Sequence, residues 1–262
     1  MNIIVCIKQV PDTTEIKIDP VKNTLIRTGV PSIMNPFDKN ALETGLQLKD
    51  TYGGKVTVIS MGPAQAKAVL REALAMGADE AYLVTDRAFG GSDTYATSYI
   101  LSQAIRKLGD FDVILGGKQA IDGDTGQTAP SIAEHLGAAR LTYVLDLKVE
   151  GDKVIARRQV EEGIEVVEAA LPVLCTATKE SNKPRYATIR RKLASLKAEI
   201  PEITLADLPA SDTSKMGLKG SPTKVKATFT PKRTANGVRI EENSPADTAK
   251  TLLDKLAEAK IL

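Results

Sequence analysis

A chain of 262 residues is about 1.7 times a typical domain, enough for one large domain or a domain with an appendage. With 42% hydrophobic and 26% charged residues it has a globular composition, which excludes a wholly disordered chain and a fibre. Thirty-five Lys and Arg against 33 Asp and Glu leave a net charge of +2, too small to mark a nucleic-acid binder.

The first apolar stretch, Ile3 to Ile7, is followed at once by Lys8 and Pro11, and no apolar run approaches the roughly 18 residues of a spanning helix. The N-terminus therefore reads as a strand, and the protein as cytoplasmic and without membrane insertion. Residues 3–7, 56–60, 81–84 and 112–116 are apolar runs without polar alternation, as in parallel strands buried on both faces. Between them the spacing predicts three helices. The first runs from near Asp38 to the Gly53-Gly54 stop. The second starts at Pro63, carries Val69, Leu70, Ala73 and Leu74 on one face, and ends at Gly77. The third runs from Ser92 or Asp93 to Leu108, before Gly109. This alternation implies right-handed crossovers and an α/β fold with a doubly wound, mostly parallel sheet, whose ligands bind at the carboxyl ends of the strands.

After residue 140 the pattern changes to a small antiparallel addition. Strands around 142–149, 153–160 and 164–171 are joined by turns at Gly151-Asp152 and Glu162-Gly163, and a further strand follows Pro172. From about residue 180 the chain is basic and proline-punctuated, loses periodicity from Ser211 to Arg239, and ends in an amphipathic helix from Ser244 to Ala259. This tail has too little apolar material to fold alone and is expected to lie as an extended arm across a partner subunit. The expected division is an α/β domain over 1–180, a basic region over 181–200 and an arm over 201–262.

The side-chain inventory removes several chemistries. Cys6 and Cys175 each sit in an apolar strand, the setting of an inert thiol. The single histidine, His135, ends a predicted helix, where the macrodipole favours it, so His-rich metal sites and Ser-His-Asp triads lack material. Four Phe, six Tyr and no Trp leave few platforms for stacking bases. No catalytic side chain or metal site stands out, and any chemistry is expected to come from a bound cofactor.

The densest polar loop, GGKQAIDGDTGQTAPSIAEHLG at 116–137, follows a predicted strand and opens a helix. Asp124 or Thr125 would cap that helix, and the N–H groups of Thr125 to Thr128 would receive a pyrophosphate at the positive end of its dipole. Lys118 adds positive charge, and Gln127 and Thr128 add neutral donors. Neither common nucleotide fingerprint is present, and an ordinary Asp/Gly turn is the alternative. Three further strand-end loops converge on the same edge: Lys8 to Asp12, Met61 to Pro63, and Asp86 to Thr94 (DRAFGGSDT).

These residues carry a family resemblance along nearly the whole chain. VCIKQVPD at the start, MNPFD at 34–38, MGPAQA at 61–66, ALAMGAD at 73–79, GKQAIDGDTGQT at 117–128 and PRYATI at 184–189 resemble the β subunit of electron-transfer flavoproteins. So does the segment from Ala156 to Val167 followed by Pro172, although Cys175 stands where a larger aliphatic residue is usual. The resemblance implies an adenine-nucleotide-hydrolase-like, Rossmann-like fold paired with a larger, flavin-holding α subunit on which the C-terminal arm packs. It implies nucleotide contacts at Cys6, Asn35 to Asp38, Met61, and at Gly117, Lys118, Gln119, Ala120, Ile121, Asp122, Gly123, Asp124, Thr125, Gly126, Gln127 and Thr128.

The stretch 84–98, with KQVPDT at 8–13, is similar to the NADH-oxidising, electron-bifurcating branch, in which the β subunit holds FAD where the common branch holds AMP. That adds Asp86, Arg87, Gly90, Gly91 and Thr94 to the cofactor site. The two glycines would let backbone approach a planar ring, and Arg87 would face reduced flavin or nicotinamide phosphates. The alternative is a capped turn with Ser92 or Asp93 as cap. The resemblance also makes Pro184, Arg185, Tyr186, Ala187, Thr188, Ile189, Arg190 and Arg191 a recognition loop for an acyl-CoA or similar dehydrogenase, with Ile189 as apolar anchor; read alone, the stretch is a solvated basic loop. The implied function is hydride acceptance from NADH, with electrons sent to ferredoxin or flavodoxin and, through the α-subunit FAD, to the dehydrogenase.

Overall fold

The computed structural model describes residues 1–12, 31–226 and 237–262, in two units divided after Lys226. Thr13 and residues 227–236 of the expected arm lie outside the described residues.

In the first unit β1 (Asn2–Cys6), β4 (Lys55–Met61), β5 (Glu80–Val84) and β6 (Val113–Gly117) are the predicted apolar runs, each shifted by a residue or less. A two-stranded antiparallel ladder, β2 (Gln9–Pro11) with β3 (Ser32–Met34), follows β1. Then come β7 (Ala139–Glu150), β8 (Lys153–Val160), β9 (Gly163–Ala170), β10 (Val173–Ala177) and the two-residue β11 (Glu202–Ile203). One nine-stranded sheet holds them in the order β11-β5-β4-β1-β6-β10-β7-β8-β9, parallel from β11 to β7. The antiparallel addition is thus continuous with the main sheet, because β7 pairs with β10 on one side and with β8 on the other.

Alternate residues of the central strands enter two cores. Ile3, Val5 and Ile7 pack with Leu42 and Leu46 of α1 (Pro36–Tyr52) and Leu70 of α2 (Lys67–Met76). Ile4, Ile59 and Ile114 pack with Ile100 and Ile105 of α3 (Thr94–Leu108) and Ile132 of α4 (Thr128–Leu136). Burial on both faces accounts for the lack of polar alternation. The helix stops fall where glycine was read: Gly53, Gly77 and Gly109 end α1, α2 and α3. Asp93, not Ser92, caps α3, accepting from Ala96 N. At the second helix Pro63 precedes a 3-10 turn, Ala64–Ala66, and the α-helix begins only at Lys67.

Two expectations for the tail are corrected. The basic stretch is not a loop throughout, since α5 (Ile189–Lys197) occupies its second half and packs on α2. Nor does an arm begin at residue 201. Beta-strand β11 pairs with β5, Leu208 and Met216 are buried in the α3 core, and the short α6 (Gly217–Gly220) follows, so residues 201–226 belong to the first unit. The second unit contains α7 (Pro245–Glu258), capped by Ser244, with no buried residue in the helix. No described helix is long and apolar enough to cross a membrane.

Candidate functional site

The chain starts at β1, adds β4 and β5 on one side, and returns to place β6 on the other. The carboxyl ends of β1 and β6 therefore flank the topological switch point, where open sheets of this kind bind ligands. Asp38, in the first turn of α1, spans it: Oδ2 accepts from Lys8 N (2.7 Å) and Oδ1 from Gly117 N (3.0 Å). Asn35 repeats the device one step further, accepting from Ile121 N (3.2 Å) and donating to Gln119 O (2.8 Å). Lys8 closes the set with an ion pair to Asp122 (2.6 Å). A Cβ on Gly117 would run into Asp38 Oδ1 and stand 2.6 Å from Phe37 Cβ, so only glycine allows this approach.

This arrangement sharpens the reading of Asn35 and Asp38. Their polar atoms are committed to backbone at the root of the 117–128 loop, so they shape it. Burial pushes the Asp38 carboxyl up to about 7 from an ordinary 3.8; its hydrogen bonds with Asn35, Lys8 N and Gly117 N, and the charge of Lys8, pull the other way without prevailing. Beside it, burial and the Asp38 charge push the Cys6 thiol up to about 12, and burial does the same to Cys175. Both cysteines are therefore protonated, unreactive thiols at neutral pH, as their apolar strands suggested.

The crest of the loop is open. Ala120 O receives Gly123 N (3.3 Å) and Asp124 N (2.9 Å), Asp124 and Gly126 take left-handed conformations (φ 49° and 66°), and Gln119 donates to Asp124 Oδ1 (2.7 Å). Neither Asp124 nor Thr125 caps α4. The cap position is Gln127, without a side-chain bond, because the left-handed turns delay the helix to Thr128. Among the described residues no protein acceptor takes the N–H of Thr125, Gly126, Gln127 or Thr128. These donors, at a helix N-terminus, have the chemistry of an anion cradle; the Lys118 ammonium, at the root of the same loop, lies over the Tyr143 ring (5.0 Å).

The 86–94 loop lies at the end of β5, three strand spacings or about 14 Å from the end of β6, with Met61 at the end of β4 between them. Asp86 accepts from Ala88 N (2.9 Å) and Leu205 N (3.1 Å), and these bonds hold its carboxyl below the usual range. Thr94 opens α3, while Asp93 also accepts from Thr223 N (2.9 Å) and Oγ1 (2.8 Å). The close approach at Gly91 (φ 75°) is made by Leu218, whose Cβ would lie 3.3 Å from a Cβ there, and Gly90 O accepts from Leu218 N. At Gly91 the close approach is thus made by the protein's own chain, where the sequence reading expects a flavin ring. Arg87 is exposed and makes no ion pair among the described residues.

The fastening residues Leu205, Gly217, Ser221 and Thr223 were missed, because the segment that carries them has no periodicity to read. Also missed was a polar stripe on α1, Asn40, Glu43 and Thr44, whose helical spacing was a visible signal. It receives the recognition segment. Asn40 donates to Asn182 O (2.8 Å), Asn182 donates to Thr44 Oγ1 (2.9 Å), and Arg185 meets Glu43 (2.9 Å). Of the eight residues expected to recognise a partner, Arg185 faces α1 and Arg191 reaches Gly77, while Thr188 caps α5 by accepting from Arg191 N. Tyr186 (97% exposed) and Ile189 (82%) point outward, joined on α5 by exposed Leu193 and Leu196.

His135 lies in the last turn of α4, as the sequence suggests, but its surroundings oppose its charge. The helix dipole would favour its charged form, yet burial first, then Arg106 and Lys215, lower its pKa, with Glu134 opposing. Its ring stands edge-on to Tyr95 (5.4 Å) and Tyr99 (5.6 Å). No cluster of three metal-ligating side chains occurs among the described residues. A cleft of about 370 Å³ lies at the amino ends of the strands, lined by Asn2, Lys55, Glu80, Tyr82 and Asp110. It lies at the opposite ends of the strands from the switch point, so it lacks the donors of the 117–128 cradle.

Residues 22–208 match the Electron transfer flavoprotein domain. The chain is 53% identical to the electron transfer flavoprotein subunit beta of Megasphaera elsdenii over the full length of both. It is 56% identical to the subunit beta of Clostridium acetobutylicum, over 92% of this chain and 93% of that one. It is 48% identical to the caffeyl-CoA reductase-Etf complex subunit CarD of Acetobacterium woodii, again over the full length of both. With the sheet order, the open cradle and these full-length similarities in agreement, the chain belongs to the electron-transfer flavoprotein β-subunit family.

Proposed function

We propose that the protein works in the cytoplasm as the β subunit of an NADH-oxidising, electron-bifurcating flavoprotein, paired with an α subunit and holding FAD between the 117–128 cradle and the 86–94 loop. The observation that carries this reading is the second loop: it brings Arg87, exposed and without an ion pair among the described residues, to the same sheet edge as the cradle, beyond what an AMP phosphate needs. In their roles, the backbone donors of Thr125 to Thr128 bind phosphate, Asp38 and Asn35 set the shape of the cradle, and Arg87 offers a planar cation to a nicotinamide nucleotide or a reduced ring. Bound flavin would supply two-electron acceptance from NADH and one-electron delivery onward.

The remaining partners follow from exposed surfaces. Tyr186, Ile189, Leu193 and Leu196 form an apolar ridge among basic residues, suited to brief docking on an acyl-CoA or similar dehydrogenase, with ferredoxin or flavodoxin as the other acceptor. The similarity to CarD, whose name places it in a complex with a CoA-ester reductase, supports a dehydrogenase of that kind. Leu252 and Leu253 of α7 and the terminal Ile261 and Leu262 are exposed apolar residues suited to packing on α. The test is the cofactor content of the denatured αβ protein. About two FAD per pair are expected, whereas about one FAD with one AMP would assign the β site to a structural nucleotide.

A further inference from the structure

The recognition segment is not simply a basic loop with an apolar tip. The backbone is extended at Asn182 and again at Thr188, the cap of α5, and between them neighbouring side chains go opposite ways. Tyr186 is almost fully exposed, and its neighbour Arg185 is turned back onto α1. There Nε donates to Glu43 Oε2 (2.9 Å), and one terminal nitrogen donates both to Glu43 Oε1 (3.0 Å) and to Asp50 Oδ2 (2.7 Å). The Arg185 backbone N–H adds a bond to Glu43 Oε2 (3.0 Å). Glu43 and Asp50 are two helical turns apart and share a face, so the guanidinium lies along the helix with Nε and one terminal nitrogen committed to the two carboxylates. Glu43 is 4% exposed, a buried carboxylate whose partner is this arginine. The reciprocal Asn40–Asn182 pair fixes the start of the segment in the same way.

We infer that Arg185 is a positioning residue for partner docking: joined to Glu43 and Asp50 of α1, it holds the segment from Lys183 to Thr188 in the one path that presents Tyr186 and Ile189 together. This rests on the docking reading of the exposed ridge. An ordered path spares the partner the cost of ordering the segment on binding. A lysine cannot replace the arginine here, because a point charge cannot span both carboxylates while also fitting the Glu43 fork.

The test titrates reduction of an acyl-CoA dehydrogenase by the αβ protein at two ionic strengths. Ile189→Ala should raise the half-saturation concentration roughly thirtyfold, as expected for loss of a buried aliphatic anchor. Arg185→Ala and Arg185→Lys should each raise it roughly tenfold, with unchanged flavin content, maximal rate and salt dependence. The double variant Arg185→Ala/Ile189→Ala should lose clearly less than the product of the two single losses, because the part of the Arg185 effect that acts through Ile189 is gone and only the part through Tyr186 remains. Arg185→Ala leaves Glu43 buried and unpaired, so Glu43→Gln/Arg185→Gln supplies a second arm that removes both charges at once and should give the same tenfold rise. Multiplicative losses in the double variant, or a weaker salt dependence in the Arg185 variants, would make Arg185 a direct contact and overturn the inference. Unchanged half-saturation in the Arg185 variants, with Ile189→Ala impaired, would overturn it while leaving the docking surface intact. A neutral Ile189→Ala would remove the docking surface and this inference with it.

Discussion

The 117–128 and 86–94 loops leave the same sheet edge and begin from the same residue chemistry, an aspartate gripping backbone N–H groups beside glycines, yet they are held in opposite ways. At the first, the aspartate is Asp38, fully inside the protein and bonded to the ends of two strands. At the second, Asp86 is half-buried and bonded to a neighbouring turn and to Leu205, remote in sequence. The root of the 117–128 loop is saturated and its crest is free. The 86–94 loop is fastened along most of its length by residues 205–223. A ligand at this edge would therefore meet a cradle shaped from beneath and a wall clamped from behind, with the exposed Arg87 on that wall.

Titration offers the largest separation between the two loops. Burial raises the Asp38 pKa from 3.8 to about 7, so its protonated form is the one favoured by folding. The associated stability is fully present below about pH 4 and is lost as pH rises through about 7, an effect on the order of 4 kcal/mol. Asp86 has the opposite sign: its pKa is lowered, so its contribution is present above about pH 4 and is lost in acid. Denaturant unfolding of wild-type protein and Asp38→Asn from pH 4.5 to 8 separates them. The variant should gain on the wild type as pH rises, since Lys8, Cys6, Asn35 and Gly117, the groups around Asp38, are unchanged. A constant difference across that range would mean that Asp38 does not titrate with folding.

The contrast also explains what could be read in the sequence. The parallel sheet was legible because 3–7, 56–60, 81–84 and 112–116 are apolar on both faces, and the helix stops because Gly53, Gly77 and Gly109 end periodic patterns. The crest of the cradle was legible as a polar, Gly-containing loop between strand and helix. Its cap was not, because the left-handed turn at Asp124 has no signature distinguishing it from a capping aspartate. The clamp from residues 205–223 was hidden for a different reason. It consists of single hydrogen bonds, such as Leu205 N to Asp86 and Thr223 to Asp93, made by residues more than 100 positions away. Likewise β11 is only two residues long and is a strand solely because β5 offers an edge. Local pattern carries no trace of such bonds.

A second experiment loosens the clamp. Asp93→Ala removes the α3 cap on Ala96 N (3.1 Å) and both bonds from Thr223, a loss of about 2 kcal/mol. Amide exchange at Leu218 and Thr223 should quicken, while Ile121, held by Asn35, should exchange as before. Equal acceleration in both places would mean that the two loops are one cooperative unit.

The smallest expected change in stability belongs to Thr125, and that makes it the cleanest probe of the open crest. Its side chain is exposed, and its hydroxyl has only a long bond to Gly123 O (3.4 Å). It does not cap α4, so removing the hydroxyl takes nothing from the helix. Thr125→Ala should therefore change folding stability by less than about 0.5 kcal/mol. If the crest binds phosphate, the lost hydroxyl removes one donor to a charged group, about 1.5–3 kcal/mol of binding, or a ten- to hundredfold faster loss of nucleotide. The measurement is nucleotide retained by the αβ protein after gel filtration, beside a thermal melt of the nucleotide-stripped protein, since bound nucleotide itself raises the melting temperature. Reduced retention at an unchanged melting temperature isolates a ligand contact, because no structural role remains to account for it. Full retention would remove Thr125 from the site and leave the backbone donors, which side-chain substitution cannot remove, to hold the phosphate without it.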